Sequence, residues 1–248
     1  MTLEQFFAEN REVAIAFSGG VDSAYLLYAA TRYAARVKAY YVSTAFQPEF
    51  ELEDARWLAD ELGADMLVLH VDVLMSGAVV ANPSDRCYHC KNTLFRQILR
   101  AAENDGFPVL LDGTNASDDA GDRPGMRALR ELSVRSPLRE CGLTKAEIRR
   151  LSREAGLFTW DKPAYACLAT RIRTGEEITL QKLKQTEKAE GFLFGLGFRD
   201  FRVRMVGNTA KLELRETDLP LLLENREKIV TELRKDYDSV LLNLEVRK

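Results

Sequence analysis

Histidine is nearly absent from this chain: among its 248 residues there are two, His70 and His89. Cysteine is sparse as well, with four residues and a single Cys-x-x-Cys at Cys87 and Cys90. Without a second such pair, a closed four-ligand zinc site has little support. No segment approaches the roughly 20 consecutive apolar residues of a membrane span. The start, Met1-Thr2-Leu3-Glu4-Gln5, lacks the basic opening and apolar core of a signal peptide. The expectation is a cytoplasmic protein with no membrane partner, and in that compartment four cysteines are not a disulfide framework. Charge of either sign is not in excess: 35 Lys and Arg against 38 Asp and Glu leave a net charge of −3. That balance argues against non-specific nucleic-acid binding, and no nucleic-acid partner is expected. Repeats and low-complexity stretches are missing too. A chain with 46% hydrophobic and 29% charged residues reads as an ordinary globule.

What is present begins with Ser18-Gly19-Gly20-Val21-Asp22-Ser23, directly after the apolar run Val13-Ala14-Ile15-Ala16-Phe17. Gly19 and Gly20 have no Cβ, so the backbone can turn tightly and approach a ligand. Ser18 and Ser23 add hydroxyls. A helix starting near Val21 would aim free N–H groups and its positive dipole end at the loop, a setting for an anion and for phosphate above all. No Gly-Lys-Ser/Thr follows, so this is not a Walker A loop, and the dinucleotide fingerprint Gly-x-Gly-x-x-Gly is absent. Ser-Gly-Gly-x-Asp-Ser instead resembles the PP-loop of the ATP pyrophosphatases. That resemblance implies an enzyme that splits ATP between its α- and β-phosphates and adenylates a substrate.

The first part of the chain alternates strand and helix patterns. Strands are expected at 13–17, 37–44, 66–71 and 109–112, and helices at 22–36, 50–62 and 91–103. Gly63 is the expected C-cap of the second helix. Thr144-Lys145-Ala146-Glu147 is a capping box that opens a further helix, closing around Gly156. Alternating strands and helices imply an α/β fold with a doubly wound parallel sheet, whose ligand crevice lies at the carboxyl ends of the strands. With the resemblance, the expected type is the PP-loop, adenine nucleotide alpha hydrolase-like, sheet. Ser18, Thr44 and Asp112 fall at such ends. After Gly175 the pattern changes to a helix at 179–194, strands at 201–206 and 210–214, a helix at 219–235 and a last strand at 240–246. The expected division is a PP-loop domain over 1–175 and a smaller α+β domain for substrate or oligomerisation over 176–248.

Three further segments stand out: Asn82 to Lys91 around the cysteine pair, Asp112 to Gly125, and Trp160 to Arg171 around Cys167. With the PP-loop and Arg202-Val203-Arg204, they resemble the LarE family over nearly the whole chain. LarE enzymes are ATP-dependent sulfur transferases in biosynthesis of the nickel-pincer nucleotide of lactate racemase. The resemblance implies ATP and Mg²⁺ as cofactors and a pyridinium mononucleotide as small-molecule substrate. One carboxylate of pyridinium-3,5-biscarboxylic acid mononucleotide would be adenylated and converted to a thiocarboxylate. It also implies a homo-oligomer, a hexamer being one form.

A carboxylate is a poor electrophile, and transfer of AMP to it creates a good leaving group. The PP-loop (Ser18, Gly19, Gly20, Asp22, Ser23) would hold the departing pyrophosphate while Mg²⁺ bridges its oxygens. Asp22 serves that metal, the loop geometry or the helix cap. The sulfur nucleophile is a thiolate. The resemblance assigns it to Cys167, which in sacrificial family members donates its own sulfur and becomes dehydroalanine. Cys87, Cys90 and Cys167 together could instead hold a [4Fe-4S] cluster at three irons, leaving the fourth for a sulfide from an external donor. With all three positions present, the cluster form is the favoured expectation. Cys141 reads as structural. Arg171 could lower the Cys167 pKa or bind phosphate, and Lys91 could face phosphate. Glu131, as a buried carboxylate, could hold metal or act as a base, and Arg123 could bind phosphate. Arg202 and Arg204 share one strand face, suited to a nucleotide monophosphate, and Glu190 joins that site through the resemblance.

Three other readings fit a PP-loop. A tRNA thiolase would need a basic surface that the charge balance does not suggest. An amidating ligase would need ammonia and no cysteines. A non-catalytic adenine-nucleotide sensor would bind ATP or AMP without turnover.

Overall fold

Val13, Ile15 and Phe17 alternate with Ala14 and Ala16, and a strand that is apolar on both faces must be covered on both. The computed structural model, which describes residues 1–118 and 124–247, puts this segment at the centre of a sheet as β1 (Glu12–Phe17). It pairs in parallel with β2 (Arg36–Ser43) and β4 (Val109–Leu111), and β2 pairs in parallel with β3 (Asp65–His70). The order is β3-β2-β1-β4. Val13, Ile15 and Phe17 join one apolar cluster with residues of α1 (Leu3–Glu9), α2 (Val21–Tyr33) and α3 (Glu49–Glu61). Ala14 and Tyr40 join another with Ile98 and Ala102. Helices thus cover both faces, as a doubly wound sheet requires.

The described residues divide into two compact units. Unit 1 holds Met1–Val73 and Asp85–Ala164, and unit 2 holds Leu74–Ser84 and the chain from Tyr165 onward. The inserted segment of unit 2 carries α4 (Gly77–Val80). Unit 1 resumes with α5 (Arg86–Asn104), the helix that bears Ile98 and Ala102. After β4 come α6 (Pro124–Glu131), α7 (Pro137–Glu140) and α8 (Lys145–Glu154), the last closed at its start by the Thr144–Glu147 capping box. In unit 2, α9 (Leu180–Gly195) contacts β5 (Arg202–Val206) of a small sheet with β6 (Thr209–Glu213) and β7 (Ser239–Leu242), in the order β5-β6-β7. Gly175 lies within this unit, its N–H donating to the Asn82 carbonyl at 2.8 Å.

Two elements differ from expectation. α5 begins at Arg86 rather than Lys91, so the cysteine pair sits on a helix. The helix expected over 219–235 is broken into α10 (Leu219–Glu224) and α11 (Arg226–Leu233). Asn225 interrupts it with ψ at 9° and its amide turned back onto the Leu221 carbonyl, a local bond that competes with the helix ladder.

Candidate active site

β1 is flanked by β2 on one side and β4 on the other, so the winding direction of the sheet reverses there. A crevice opens outside the carboxyl ends of strands at such a point, and Ser18–Ser23 fills this position. Gly19 has φ +70°, and a Cβ built on it would stand 3.1 Å from Ala55 Cβ on α3. Glycine is needed there for conformation and for room. Gly20 is the N-cap of α2 and supplies no side-chain cap, so the first N–H groups of the helix stay available to a ligand. The two serines stiffen the loop. Ser18 Oγ lies 3.1 Å from Ser23 Oγ, the Ser18 N–H donates to Ser23 Oγ, and Ser23 Oγ donates to the Gly20 carbonyl. Two residues past β4, Gly113 presses on the same turn: a Cβ on it would meet Ser23 N at 2.9 Å. Gly113→Ala must displace either the loop or the segment after β4. The expected outcome is at least about tenfold weaker ATP binding by calorimetry, with the parallel sheet retained by circular dichroism.

Charge is arranged around this loop in pairs. Lys145, the first residue of α8, donates to Asp22 Oδ2 at 2.7 Å. The other oxygen, Asp22 Oδ1, is buried and has no hydrogen-bond partner among the described residues. Burial raises the Asp22 pKa above its ordinary value, Lys145 opposes that shift, the negative Asp118 adds to it, and the Asn115 side chain lowers it. Asp112, at the end of β4, accepts from Ser136 Oγ at 2.6 Å and Thr114 Oγ1 at 2.5 Å. Lys162 donates to Asp54 of α3 at 2.6 Å and stands 3.5 Å from the Gly19 carbonyl oxygen.

Cys87 and Cys90 are three residues apart on α5 and therefore share a face. Cys87 is exposed and receives the Arg86 guanidinium at 3.8 Å, while Cys90 is half-buried. The stretch 86–90 has no aliphatic residue, which is why the sequence pattern of this helix starts only further on. Lys91 follows directly, its Cδ 3.1 Å from where a Cβ on Gly125 would be. Glu131 is not the buried carboxylate expected of it. It is exposed on α6, accepts from Tyr88 Oη at 2.7 Å and pairs with Arg127 at 3.8 Å. Arg123 lies outside the described residues. Cys141 packs against the core beside α7, and burial pushes its thiol up, as suits a structural residue.

In unit 2, Cys167 caps a 3₁₀ turn over Leu168–Arg171. The Arg171 side chain is fully buried and holds Glu190 with two bonds, Nε to Oε1 at 2.8 Å and Nη2 to Oε2 at 3.0 Å. Its remaining nitrogen donates to the carbonyls of Ala166 at 2.7 Å and Cys167 at 3.4 Å and to Thr170 Oγ1 at 2.9 Å. Burial opposes the Arg171 charge, but the Glu190 bonds outweigh it and raise the pKa. Glu190 also accepts the Val203 N–H at 2.9 Å and the Tyr165 hydroxyl. Arg171 is thus built into the turn that carries Cys167. Arg202 lies over the Tyr165 ring, and burial together with the charges of Arg171 and Arg247 lowers its pKa. Arg204 donates to the Thr170 carbonyl at 2.6 Å and pairs with Glu213 at 2.8 Å. With Thr170, Arg173, Thr174 and Lys211 it lines a basic hollow of about 400 Å³.

Residues 4–118, from α1 to the loop after β4, match the asparagine synthase family model. Pyridinium-3,5-bisthiocarboxylic acid mononucleotide synthase of Lactiplantibacillus plantarum is 31% identical over 235 residues, 94% of this chain and 85% of its own. The chain belongs to the LarE family. Two uncharacterized proteins are also similar to it. One, from Synechocystis sp., is 39% identical over 86% of this chain and 80% of its own, and one from Methanocaldococcus jannaschii is 31% identical over 96% and 91%.

The LarE-family chain carries groups at the loop to which the sequence reading gave no role: Lys145, Lys162, Asp54 and Gly113. Lys145 was visible only as a capping-box residue and Lys162 only as part of the Cys167 segment. Among the described residues, no three or more His, Cys, Asp and Glu side chains form a group able to hold a metal ion. That does not exclude Mg²⁺ from the loop, because Mg²⁺ takes one or two carboxylates, substrate phosphates and waters. The buried Asp22 Oδ1, which no hydrogen bond of normal geometry satisfies, fits such an ion. A [4Fe-4S] cluster has no support among the described residues of either unit, Cys87 and Cys90 belonging to unit 1 and Cys167 to unit 2. No step is therefore routed through a cluster. No helix among the described residues is long and apolar enough to cross a membrane.

Proposed function

We propose that this protein uses ATP to adenylate a carboxylate of pyridinium-3,5-biscarboxylic acid mononucleotide and replaces the activated oxygen with sulfur. The observation that carries the reading is the Ser18–Ser23 loop, an uncapped helix start behind a left-handed glycine at the switch point of the sheet. Within the LarE family, that geometry supports ATP split between its α- and β-phosphates. The substrate carboxylate attacks the α-phosphorus, and pyrophosphate departs toward the N–H groups of α2. Asp22 would hold Mg²⁺, with Asp118 contributing negative charge nearby, and the ion when bound neutralises the phosphate oxygens. Lys91 would serve the same polyphosphate. In unit 2, Arg204 and Lys211 bind the monophosphate of the substrate, while Arg202 lies over the Tyr165 ring outside that hollow.

Sulfur comes from Cys167 in this reading. Its thiolate attacks the acyl adenylate and AMP leaves with the carboxylate oxygen. Removal of the Cys167 Cα proton then breaks the Cβ–S bond, giving a thiocarboxylate and dehydroalanine. The place of Cys167 at the head of the 3₁₀ turn, its carbonyl held by Arg171, supports this source. The second reading is a sulfide carried on a [4Fe-4S] cluster by Cys87, Cys90 and Cys167, and the shared helical face of the first two favours it.

The test is release of AMP and pyrophosphate under anaerobic conditions with Mg²⁺, with and without the pyridinium mononucleotide. Release that depends on the mononucleotide is expected. Release that depends on tRNA or ammonia instead would contradict the reading, as would tight ATP binding with no turnover.

A further inference from the structure

We infer that Lys162 is a catalytic residue of the ATP half-reaction: its ammonium leaves Asp54 for the β- and γ-phosphates and neutralises the pyrophosphate as it departs. The inference rests on the adenylation reading above and deepens it. Lys162 follows a short 3₁₀ turn, Phe158–Asp161, that is pinned from two sides. Arg149 of α8 donates to the Trp160 carbonyl at 2.7 Å and the Lys162 carbonyl at 2.9 Å. Phe158 stacks on Trp57 of α3 with ring centroids 4.1 Å apart. Holding the backbone this way aims one side chain at the PP-loop. The Lys162 side chain is only 15% exposed.

The ammonium lies over the Phe50 ring, 5.8 Å from its centroid, and its hydrogen bonding is incomplete. It has three donors. One goes to Asp54 at 2.6 Å, and the Gly19 carbonyl oxygen is at 3.5 Å, a weak contact. The same α3 segment supplies Asp54 and, next to it, Ala55, the residue that excludes a Cβ from Gly19. One turn of α3 therefore both shapes the loop and stores a cation beside it. A compact ammonium on a flexible stem suits a phosphate oxygen, and the move from Asp54 to phosphate is a rotation of that stem. The chemical step balances without a proton. The bond from the α-phosphorus to the bridging oxygen breaks, pyrophosphate keeps the electron pair, and the carboxylate oxygen forms the new bond to phosphorus. Lys162 stays protonated and meets the charge that develops on the leaving group.

The experiment compares binding of pyrophosphate and of AMP by calorimetry on the full chain with Mg²⁺, together with the rate of AMP formation. For Lys162→Met, pyrophosphate binding is expected to weaken about tenfold or more and AMP formation to fall about 100-fold, with AMP binding unchanged. Lys162→Arg recovers part of the pyrophosphate affinity. Asp54→Asn frees the ammonium in advance and tightens pyrophosphate binding severalfold, so the inference stays testable if Lys162→Met does not fold. Wild-type pyrophosphate affinity and AMP formation in a folded Lys162→Met, or weaker pyrophosphate binding in Asp54→Asn, would overturn the inference alone. A wild-type protein that binds neither AMP nor pyrophosphate would overturn the adenylation reading with it.

Discussion

Cys167→Ser abolishes thiocarboxylate formation and leaves ATP–pyrophosphate exchange in place. The hydroxyl is almost isosteric with the thiol and caps a 3₁₀ turn at least as well, so the turn over Leu168–Arg171 stands. What changes is the nucleophile. A thiol yields thiolate near neutral pH, whereas a serine hydroxyl without an adjacent base does not ionise, and it holds no sulfur to transfer. Activation of the carboxylate belongs to the Ser18–Ser23 loop and does not need the thiol. The check is mass spectrometry of the nucleotide product beside exchange of labelled pyrophosphate into ATP. Cys87→Ser separates the two sulfur sources. It retains one round of thiolation if Cys167 gives up its own sulfur, and loses it if a cluster carries the sulfide.

Glu190→Ala unfolds the turn that carries Cys167. Glu190 is buried and takes both bonds of the Arg171 guanidinium, the Val203 N–H and the Tyr165 hydroxyl. Truncation leaves a buried guanidinium without its counter-charge and a strand N–H without an acceptor. Breaking one side of a buried pair costs about 3–5 kcal/mol. For a chain of this size that lowers Tm on the order of 10 °C. Glu190→Gln keeps two acceptor lone pairs and loses less. Differential scanning calorimetry reads the difference, and equal Tm values for Glu190→Ala and the wild type would show that the pair does not hold the turn. Arg171 acts here as a positioning residue, through the carbonyls of Ala166 and Cys167.

The legible part of this chain was what local pattern determines. The apolar run into Gly19 and Gly20 marks β1 and the loop, because both the strand and the tight turn are consequences of neighbouring residues. The Thr144 capping box is a three-residue relation and is found as read. What escaped depends on residues far apart in sequence. The pairing of Arg171 with Glu190 spans 19 residues, and nothing local says that the arginine turns inward. Lys162 reaches the loop only because Arg149 and Trp57 pin its segment. The position of Glu131 after the loop that follows β4 suggests burial, whereas α6 lays it on its exposed face. The cysteine pair falls ahead of the expected helix because the first turn of α5, Arg86-Cys87-Tyr88-His89, has no aliphatic residue to mark it. Family resemblance brought Glu190 into view, and only the geometry gave it the buried partner.

The central claim is sulfur for oxygen exchange on an adenylated pyridinium carboxylate, and one anaerobic turnover tests it. Protein, ATP, Mg²⁺ and pyridinium-3,5-biscarboxylic acid mononucleotide are mixed, and the masses of nucleotide and intact protein are recorded together. The account predicts a nucleotide with one oxygen replaced by sulfur, and a protein lighter by one H₂S with the loss mapped to Cys167. An unchanged nucleotide beside released AMP and pyrophosphate would contradict it. A thiolated nucleotide with Cys167 intact would keep the enzyme and move the sulfur to an external donor.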